Sequence, residues 1–311
     1  MIDPNTKMTR RSFLGTVGAL TSTMLLAPHL LSAQESRILL RPIPSSGERL
    51  PVVGMGTSRT FDAQGDAATM GQLAQVLEAF FDSGGRLIDS SPMYGSAESV
   101  VGELLGSERE KSRLFVATKV WTDGRTEGIA QMERSMQRLG ANVIDLMQIH
   151  NLRDWKTHLP VLREWKQKGR IRYIGITTSH GRDHEALAQI LRTERLDFVQ
   201  FSYNIEDRNA DQWLLPLAAD HGIAVLINRP FQRGNLFHKT RGHQLPAWSA
   251  EIDCHSWAQF FLKFIIAHPI VTCVIPATSK VKHMTDNIAA GVGRLPDADM
   301  RRRMIAHVSA L

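Results

Sequence analysis

Within Asp89-Ser-Ser-Pro-Met-Tyr94-Gly-Ser-Ala-Glu98, a predicted strand ends and a predicted helix begins. Tyr94 follows Asp89 by five positions, so the carboxylate and the phenol can reach one site at the strand end. A carboxylate and a phenol held together in this way are suited to proton transfer. The stretch therefore predicts a reactive site at the end of a buried strand.

Two other apolar runs end with a polar residue in the same way. Val-Ala-Thr-Lys119-Val-Trp places a lysine at one strand end, and Asp145-Leu-Met-Gln-Ile-His150-Asn places a histidine at the next. A carbonyl oxygen held among these groups would meet a phenol donor and an imidazole donor. We expect Lys119 to lower the pKa of Tyr94 from its ordinary value of about 10, because a neighbouring ammonium favours phenolate. Asp89 would keep that ammonium charged.

Outward from these sites, short apolar runs alternate with longer amphipathic runs, with a repeat of roughly 25 to 30 residues. Helical runs include residues 73–81, 131–139 and 257–267. Strands that are apolar on both faces and are joined by helices predict an α/β fold, specifically a closed parallel (β/α)8 TIM barrel. The eight predicted strands are residues 52–56, 86–89, 114–119, 143–150, 173–177, 198–201, 224–228 and 272–275.

The sequence also predicts a secondary-structure element at each end of this domain. Arg37-Ile-Leu-Leu, the turn Ser45-Ser46-Gly47 and the run from Leu50 predict an N-terminal β-hairpin that caps the bottom of the barrel. Residues 297–311 predict a terminal helix. Since no linker or second core interrupts the repeat, residues 34–311 are expected to form one domain. Barrel enzymes carry their chemistry at the carboxyl ends of the strands, which is where the polar residues described above lie.

Asp89, Tyr94, Lys119 and His150 resemble the catalytic tetrad of the aldo-keto reductase family, whose order and spacing continue from about Leu50 to Asn287. The resemblance implies an oxidoreductase that moves a hydride between a nicotinamide cofactor and a small aldehyde, ketone or alcohol, with Tyr94 as general acid or base. Taken singly, each residue also has a structural explanation, such as a helix cap, a packed ring or a surface lysine. Their occurrence together at three successive strand ends favours the catalytic interpretation.

The resemblance also implies where a cofactor binds. Thr177-Thr178 stands where the family has Ser-Asn against the nicotinamide carboxamide, and Gln200 matches the family's glutamine. At the seventh strand the family commonly has an aromatic residue against the ring, whereas this chain has Asn228-Arg229. The family favours NADP(H), and the departures leave NAD(H) open. After the eighth strand, the positions that resemble the site for adenosine and its 2′-phosphate are Pro276, Ser279, Lys280, His283 and Asn287.

Apolar residues near the strand ends suggest a substrate pocket. Met93, Trp121 and Phe231 are the candidates, although aromatic residues at such positions also serve in packing alone. A second class of function stays open, a cofactor-binding sensor or regulatory protein with little turnover, because the stacking aromatic is missing.

The sequence argues against two other chemistries. A Schiff base at Lys119 would need a neutral amine, which the charge of Asp89 opposes. No metal site is predicted, because His180 and His184 are joined by no carboxylate cluster and fit a surface loop.

The N-terminal segment is predicted to lie outside the barrel. Thr9-Arg10-Arg11-Ser12-Phe13-Leu14 is a twin-arginine pattern, an apolar run follows it, and Leu31-Ser32-Ala33 fits a cleavage site. Residues 1–33 therefore predict a signal peptide, export through the twin-arginine machinery and a periplasmic location, with no membrane anchor after cleavage. The alternative is an uncleaved membrane anchor, although glycines, a proline and a histidine interrupt the apolar run.

Composition narrows the class of partner. The formal net charge is +6 over 311 residues, and the charges are dispersed, which argues against a nucleic-acid partner. The expected partner is a small carbonyl or alcohol substrate, and the sequence does not indicate an oligomeric state. Cys254 is expected to start a helix and Cys273 to lie in a strand, so no disulfide is expected between them.

Overall fold

The structure is a computed structural model that describes residues 38–105 and 113–311. The predicted signal peptide, residues 1–33, lies outside the described residues. In the described ranges, none of the helices has an apolar stretch long enough to span a bilayer.

The described strands form a two-stranded hairpin and an eight-stranded parallel sheet. The hairpin pairs β1 with β2, and the parallel sheet runs from β3 to β10 in chain order. Gly54 N donates to Val274 O (2.9 Å) and Gly56 N donates to Pro276 O (3.0 Å), which joins the first barrel strand to the last. The predicted TIM barrel is confirmed. The strands are β1 Leu40–Pro42, β2 Arg49–Pro51, β3 Met55–Gly56, β4 Leu87–Asp89, β5 Phe115–Val120, β6 Ile144–Ile149, β7 Ile171–Thr177, β8 Phe198–Ser202, β9 Ala224–Asn228 and β10 Val271–Val274.

Helices connect the strands, and several begin at a side-chain cap. Asp66 accepts from the backbone N–H of Thr69, so the first helix begins earlier than predicted; Ser256 and Asp297 cap two others in the same way. Cys254 precedes the helix that it was expected to start. The helices are α1 Ala67–Asp82, α2 Ala97–Leu104, α3 Arg125–Leu139, α4 Trp155–Gln167, α5 His184–Thr193, α6 Leu214–Asp220, α7 Asn235–Lys239, α8 Trp257–Ile266, α9 Val281–Ala289 and α10 Ala298–Ser309.

The first barrel strand is shorter than predicted. Residues 52–56 were expected to be regular, but only Met55–Gly56 forms a ladder, with a single bridge at Val53. A Cβ atom on Gly54 would lie 2.8 Å from the carbonyl oxygen of Leu87. Glycine therefore lets the neighbouring strand β4 approach closely, and β4 is the strand that ends in Asp89.

The barrel interior has an apolar lower part and a polar upper layer. Successive residues of a strand face opposite sides, so every second residue faces the barrel interior. Two residues after the apolar positions of four strands, the inward side chains at the carboxyl ends are polar. They are Asp89, Lys119, Gln148 and Gln200. Two hairpin residues, Ile43 and Leu50, are fully buried in the apolar part, which confirms the predicted hairpin cap. The apolar part comprises Ile43, Leu50, Leu87, Phe115, Ala117, Leu146, Tyr173, Phe198, Ala224, Leu226, Cys273 and Ile275.

Candidate active site

A buried ion pair lies at the centre of the polar layer. Lys119 Nζ donates to Asp89 Oδ2 at 2.5 Å and to the carbonyl oxygen of Ser90 at 2.6 Å. The other carboxylate oxygen of Asp89 accepts from the side-chain amides of Gln148 (2.8 Å) and Gln200 (3.0 Å). A charge pair taken out of water is stable only when its remaining hydrogen-bonding positions are filled, and these contacts fill them.

The ammonium of Lys119 is held in its charged form. Burial acts to lower the pKa of Lys119, but the negative charge of Asp89 and the hydrogen bonds to Asp89 and Tyr94 oppose this effect. The net pKa lies above the ordinary value of 10.5. A neutral amine, which a Schiff base would require, is therefore disfavoured.

Tyr94 lies against both of its predicted partners. Its ring centroid is 5.2 Å from Lys119 Nζ and 5.9 Å from the His150 ring, which is perpendicular to it. Our expectation that the pKa of Tyr94 would be lowered is wrong in its net direction. Burial raises the pKa and outweighs the opposing charge of Lys119, while the charge of Asp89 raises it further. The phenol is therefore protonated at neutral pH, ready to donate.

His150 is the first residue of a short 3-10 helix, His150–Leu152, that follows β6. Burial, and after it the charge of Lys119, lower the pKa of His150 to about 2. The imidazole is therefore neutral over the whole physiological range. Its Nδ1 lies 3.1 Å from the hydroxyl oxygen of the buried Ser91.

The structure brings all four residues of the predicted tetrad together at the carboxyl ends of β4, β5 and β6. Sequence reasoning missed Gln148 and Ser91. Gln148 had a usable signal, because it lies two residues before His150 and so faces the same side of its strand. Ser91 had none, because a serine just after a strand is equally typical of turns.

Three of the residues predicted to contact the nicotinamide form one hydrogen-bonded group, which comprises Thr178, Gln200 and Asn228. Asn228 Nδ2 donates to the carbonyl oxygen of Thr178 at 2.9 Å and to Gln200 Oε1 at 3.3 Å, and Thr177 Oγ1 accepts from Asn151 N at 3.1 Å. Thr178 Oγ1, Asn228 Oδ1 and Arg229 Nη1 are buried and have no partner among the described residues. A hydroxyl and an amide oxygen suit a carboxamide, and a guanidinium suits a phosphate, so these residues fit the predicted cofactor.

The positions predicted for the adenosine end lie after β10. The backbone carbonyl of Ser279 accepts from Gln72 Nε2 at 2.6 Å, and Pro276 provides the carbonyl that closes the barrel. Lys280 is the N-cap of α9, and both Lys280 and His283 are exposed on the same side of the fold as the strand ends. Asn287 differs from them, because it is 2% exposed and lies on the inner face of α9.

The three predicted pocket residues have different surroundings. Trp121 lies with its ring centroid 6.3 Å from that of His150, and the guanidinium of Arg153 covers it at 4.9 Å. Met93 is 41% exposed, whereas Phe231 packs on Phe237 at a centroid distance of 4.8 Å. Trp121 is therefore the candidate wall of a substrate pocket, and Met93 is available at its rim.

The two histidines considered as metal ligands differ in burial. His180 is exposed in the loop after β7, as expected. His184 is buried at the start of α5 rather than in a surface loop, with its ring against Phe201 and Trp213.

Comparison with known proteins identifies the family. A model described as the aldo/keto reductase family matches residues 52–304, most of the chain. The chain belongs to this family. This aldo/keto reductase is 28% identical to methylglyoxal reductase YeaE of Escherichia coli (strain K12), over 81% of this chain and 89% of the relative. It is 31% identical to the NADH-specific methylglyoxal reductase of the same strain, over 52% of this chain and 56% of the relative.

A solved structure shares the fold of this aldo/keto reductase. The aldo/keto reductase from Klebsiella pneumoniae in complex with NADP and acetate matches it with a TM-score of 0.73 at 24% identity. The match covers 84% of this chain and 93% of the other. Family membership makes the chain an NAD(P)-dependent oxidoreductase.

Proposed function

We propose that this chain interconverts small aldehydes or ketones and the matching alcohols, with Tyr94 as the general acid and base. The observation that supports this most is the pairing of a protonated phenol with a neutral imidazole beside a buried ion pair. The phenol of Tyr94 can give a proton and the imidazole of His150 can give a hydrogen bond, and both lie at the rim of the barrel.

The side chains divide the chemistry among them. A nicotinamide cofactor, when bound, supplies or removes the hydride. In reduction, Tyr94 donates its phenolic proton to the carbonyl oxygen as the alcohol forms, and in oxidation it takes the proton back. Lys119 stabilises the phenolate in between, and Asp89 keeps Lys119 charged and in place. His150 donates a hydrogen bond to the same oxygen and so orients it.

A sensor or regulatory protein of the same fold is the second candidate. Asn228 favours it, because this residue stands where the family commonly has an aromatic residue against the cofactor ring. A panel of small aldehydes separates the two candidates, since a sensor would bind cofactor and show almost no steady-state rate. Methylglyoxal belongs in that panel because two relatives are named as methylglyoxal reductases.

NADP(H) is the cofactor that we propose, with NAD(H) as the alternative. Relatives support both, since one solved structure holds NADP and one relative is named NADH-specific. In this chain, Ser279, Lys280 and His283 would surround the 2′-phosphate at the start of α9, where backbone N–H groups favour an anion. Arg229, with its buried and unpartnered Nη1, would meet the bridging phosphates.

Lys280→Ala tests this assignment. We expect the affinity for NADPH to fall by about tenfold and that for NADH to stay unchanged, because only NADPH carries the 2′-phosphate. The side chain is exposed, so solvent screening keeps the loss modest. Cofactor fluorescence gives both dissociation constants. Lys282→Ala, which removes an exposed charge from the same helix, is the control. Equal losses for both cofactors would contradict the phosphate assignment.

We further propose that the twin-arginine machinery exports the chain to the periplasm. Replacing Arg10 and Arg11 with lysine is expected to leave the precursor in the cytoplasm, because the motif is read by a receptor and charge alone is insufficient. Cell fractionation with immunoblotting measures the distribution, and the N-terminal sequence of the periplasmic form locates the cleavage site. A mature chain that begins near Gln34 is expected for wild type. Unchanged delivery of the lysine variant would exclude this route.

A further inference from the structure

A serine lies beside the Nδ1 nitrogen of the His150 ring. Ser91 is fully buried, and its Oγ lies 3.1 Å from His150 Nδ1. The same oxygen accepts from the backbone N–H of Met93 at 3.4 Å. Among the described residues, neither a carboxylate nor a backbone carbonyl contacts Nδ1. The hydroxyl of Ser91 is therefore the group that can decide which ring nitrogen carries the proton.

Two arrangements are possible for a neutral ring that carries one proton. If Nδ1 held the proton, it would donate to Ser91 Oγ, and the serine's own proton would be left buried without an acceptor. If Ser91 donates to Nδ1 instead, its oxygen still accepts from Met93 N, and the ring proton moves to Nε2. Because an unsatisfied buried polar group is costly, the second arrangement is favoured.

The choice of tautomer decides what Nε2, on the other side of the His150 ring, can do. An Nε2–H group is a donor and can bind a carbonyl oxygen, whereas a bare Nε2 would repel it. We propose that Ser91 is a positioning residue that holds His150 in the Nε2–H tautomer and so makes it a hydrogen-bond donor to the substrate oxygen. The tautomer is a property of the chain itself, whereas its use in catalysis rests on the proposed function.

Nitrogen NMR tests the tautomer directly. The purified protein is labelled with 15N-histidine, and His150→Asn identifies the signals of this ring by their loss. In wild type at neutral pH without substrate, we expect a protonated Nε2 and an unprotonated Nδ1. A protonated Nδ1 overturns the proposal. This measurement needs neither turnover nor a serine variant, so it decides the tautomer even if the proposed reaction fails or the Ser91 variants do not fold.

Ser91→Ala tests the role in catalysis. We expect the nitrogen signals to move towards a mixture of tautomers and kcat to fall by about tenfold, the equivalent of one hydrogen bond. The cofactor dissociation constant should stay unchanged. Ser91→Thr, which keeps the hydroxyl, should retain the wild-type signals and rate. Ser135→Ala removes another fully buried serine hydroxyl, on α3, and is the control for packing.

The remaining outcomes of this experiment are also decisive. A Ser91→Ala variant with wild-type signals and rate overturns the proposal. A fall in kcat without any change in the His150 signals overturns it as well, since Ser91 would then act by another route. The wild-type protein could show the Nε2–H tautomer and yet turn over no carbonyl. That result would support the contact between Ser91 and His150 and would count only against the proposed function.

Discussion

Tyr94→Phe is expected to reduce the rate of carbonyl reduction by ~10²- to 10⁴-fold, the usual contribution of general acid catalysis. The variant keeps the ring that packs against His150 and removes only the hydroxyl. Affinity for cofactor should therefore be unchanged. Steady-state kcat with a small aldehyde and cofactor binding by fluorescence measure the two effects.

Tyr173→Phe is the matched control for this variant. The hydroxyl of Tyr173 bonds Ser46 and Glu48 near the hairpin, at the opposite end of the barrel. Its removal is expected to affect stability and not kcat. A Tyr94→Phe variant that retains more than about a tenth of the wild-type rate would exclude Tyr94 as the acid.

The raised pKa of Tyr94 predicts how the rates of reduction and oxidation depend on pH. Since burial raises it above 10.0, the phenol stays protonated through the neutral range, and the reduction rate should not fall as pH rises from 6 to about 9. Oxidation of an alcohol needs the phenolate and should speed up as pH rises. A reduction rate that falls through neutral pH would show that Lys119 outweighs burial after all.

Lys119→Met is expected to remove most activity and to lower the free energy of unfolding by ~3 to 5 kcal/mol. The phenolate loses its stabilising ammonium, so reduction slows at every pH. The charge of Asp89 stays buried, with only the amides of Gln148 and Gln200 to meet it. Urea unfolding and steady-state kcat separate the loss of stability from the loss of chemistry.

Two controls sharpen this experiment. Adding Asp89→Asn to Lys119→Met removes the unpaired charge and should recover part of the stability but none of the rate. Lys263→Met replaces another fully buried lysine, whose Nζ donates to the carbonyls of Val292 and Arg294. It should lose stability and keep kcat. If Lys119→Met were as active as Lys263→Met, Lys119 would have no catalytic role.

The tetrad could be predicted because its geometry follows from two simple rules. Parallel strands end at one rim, and alternate residues of a strand face inward, so Asp89, Lys119 and His150 had to meet once the barrel was recognised. The shortened first strand was harder to foresee. It depends on how closely Gly54 lets the backbone of Leu87 approach, which the identity of a glycine does not specify.

The electrostatics of the site were predictable only in part. Sequence showed that an ammonium and a carboxylate would lie near Tyr94, but the net pKa depends on how much water the fold removes. The contact between Ser91 and His150 depends on the path of a loop, and the burial of Asn287 on the rotation of α9. These features follow from packing in three dimensions and have no periodic signature in the chain.

Asp89 has a mechanical role that is separate from its charge. Its carboxylate bonds side chains from β5, β6 and β8, and the last two are strands with which β4 shares no ladder. The carboxylate therefore links strands across the mouth of the barrel that the sheet connects only through their neighbours. The shape of the barrel mouth and the geometry of the proposed proton-transfer site therefore depend on the same side chain, and a substitution of Asp89 is expected to alter both.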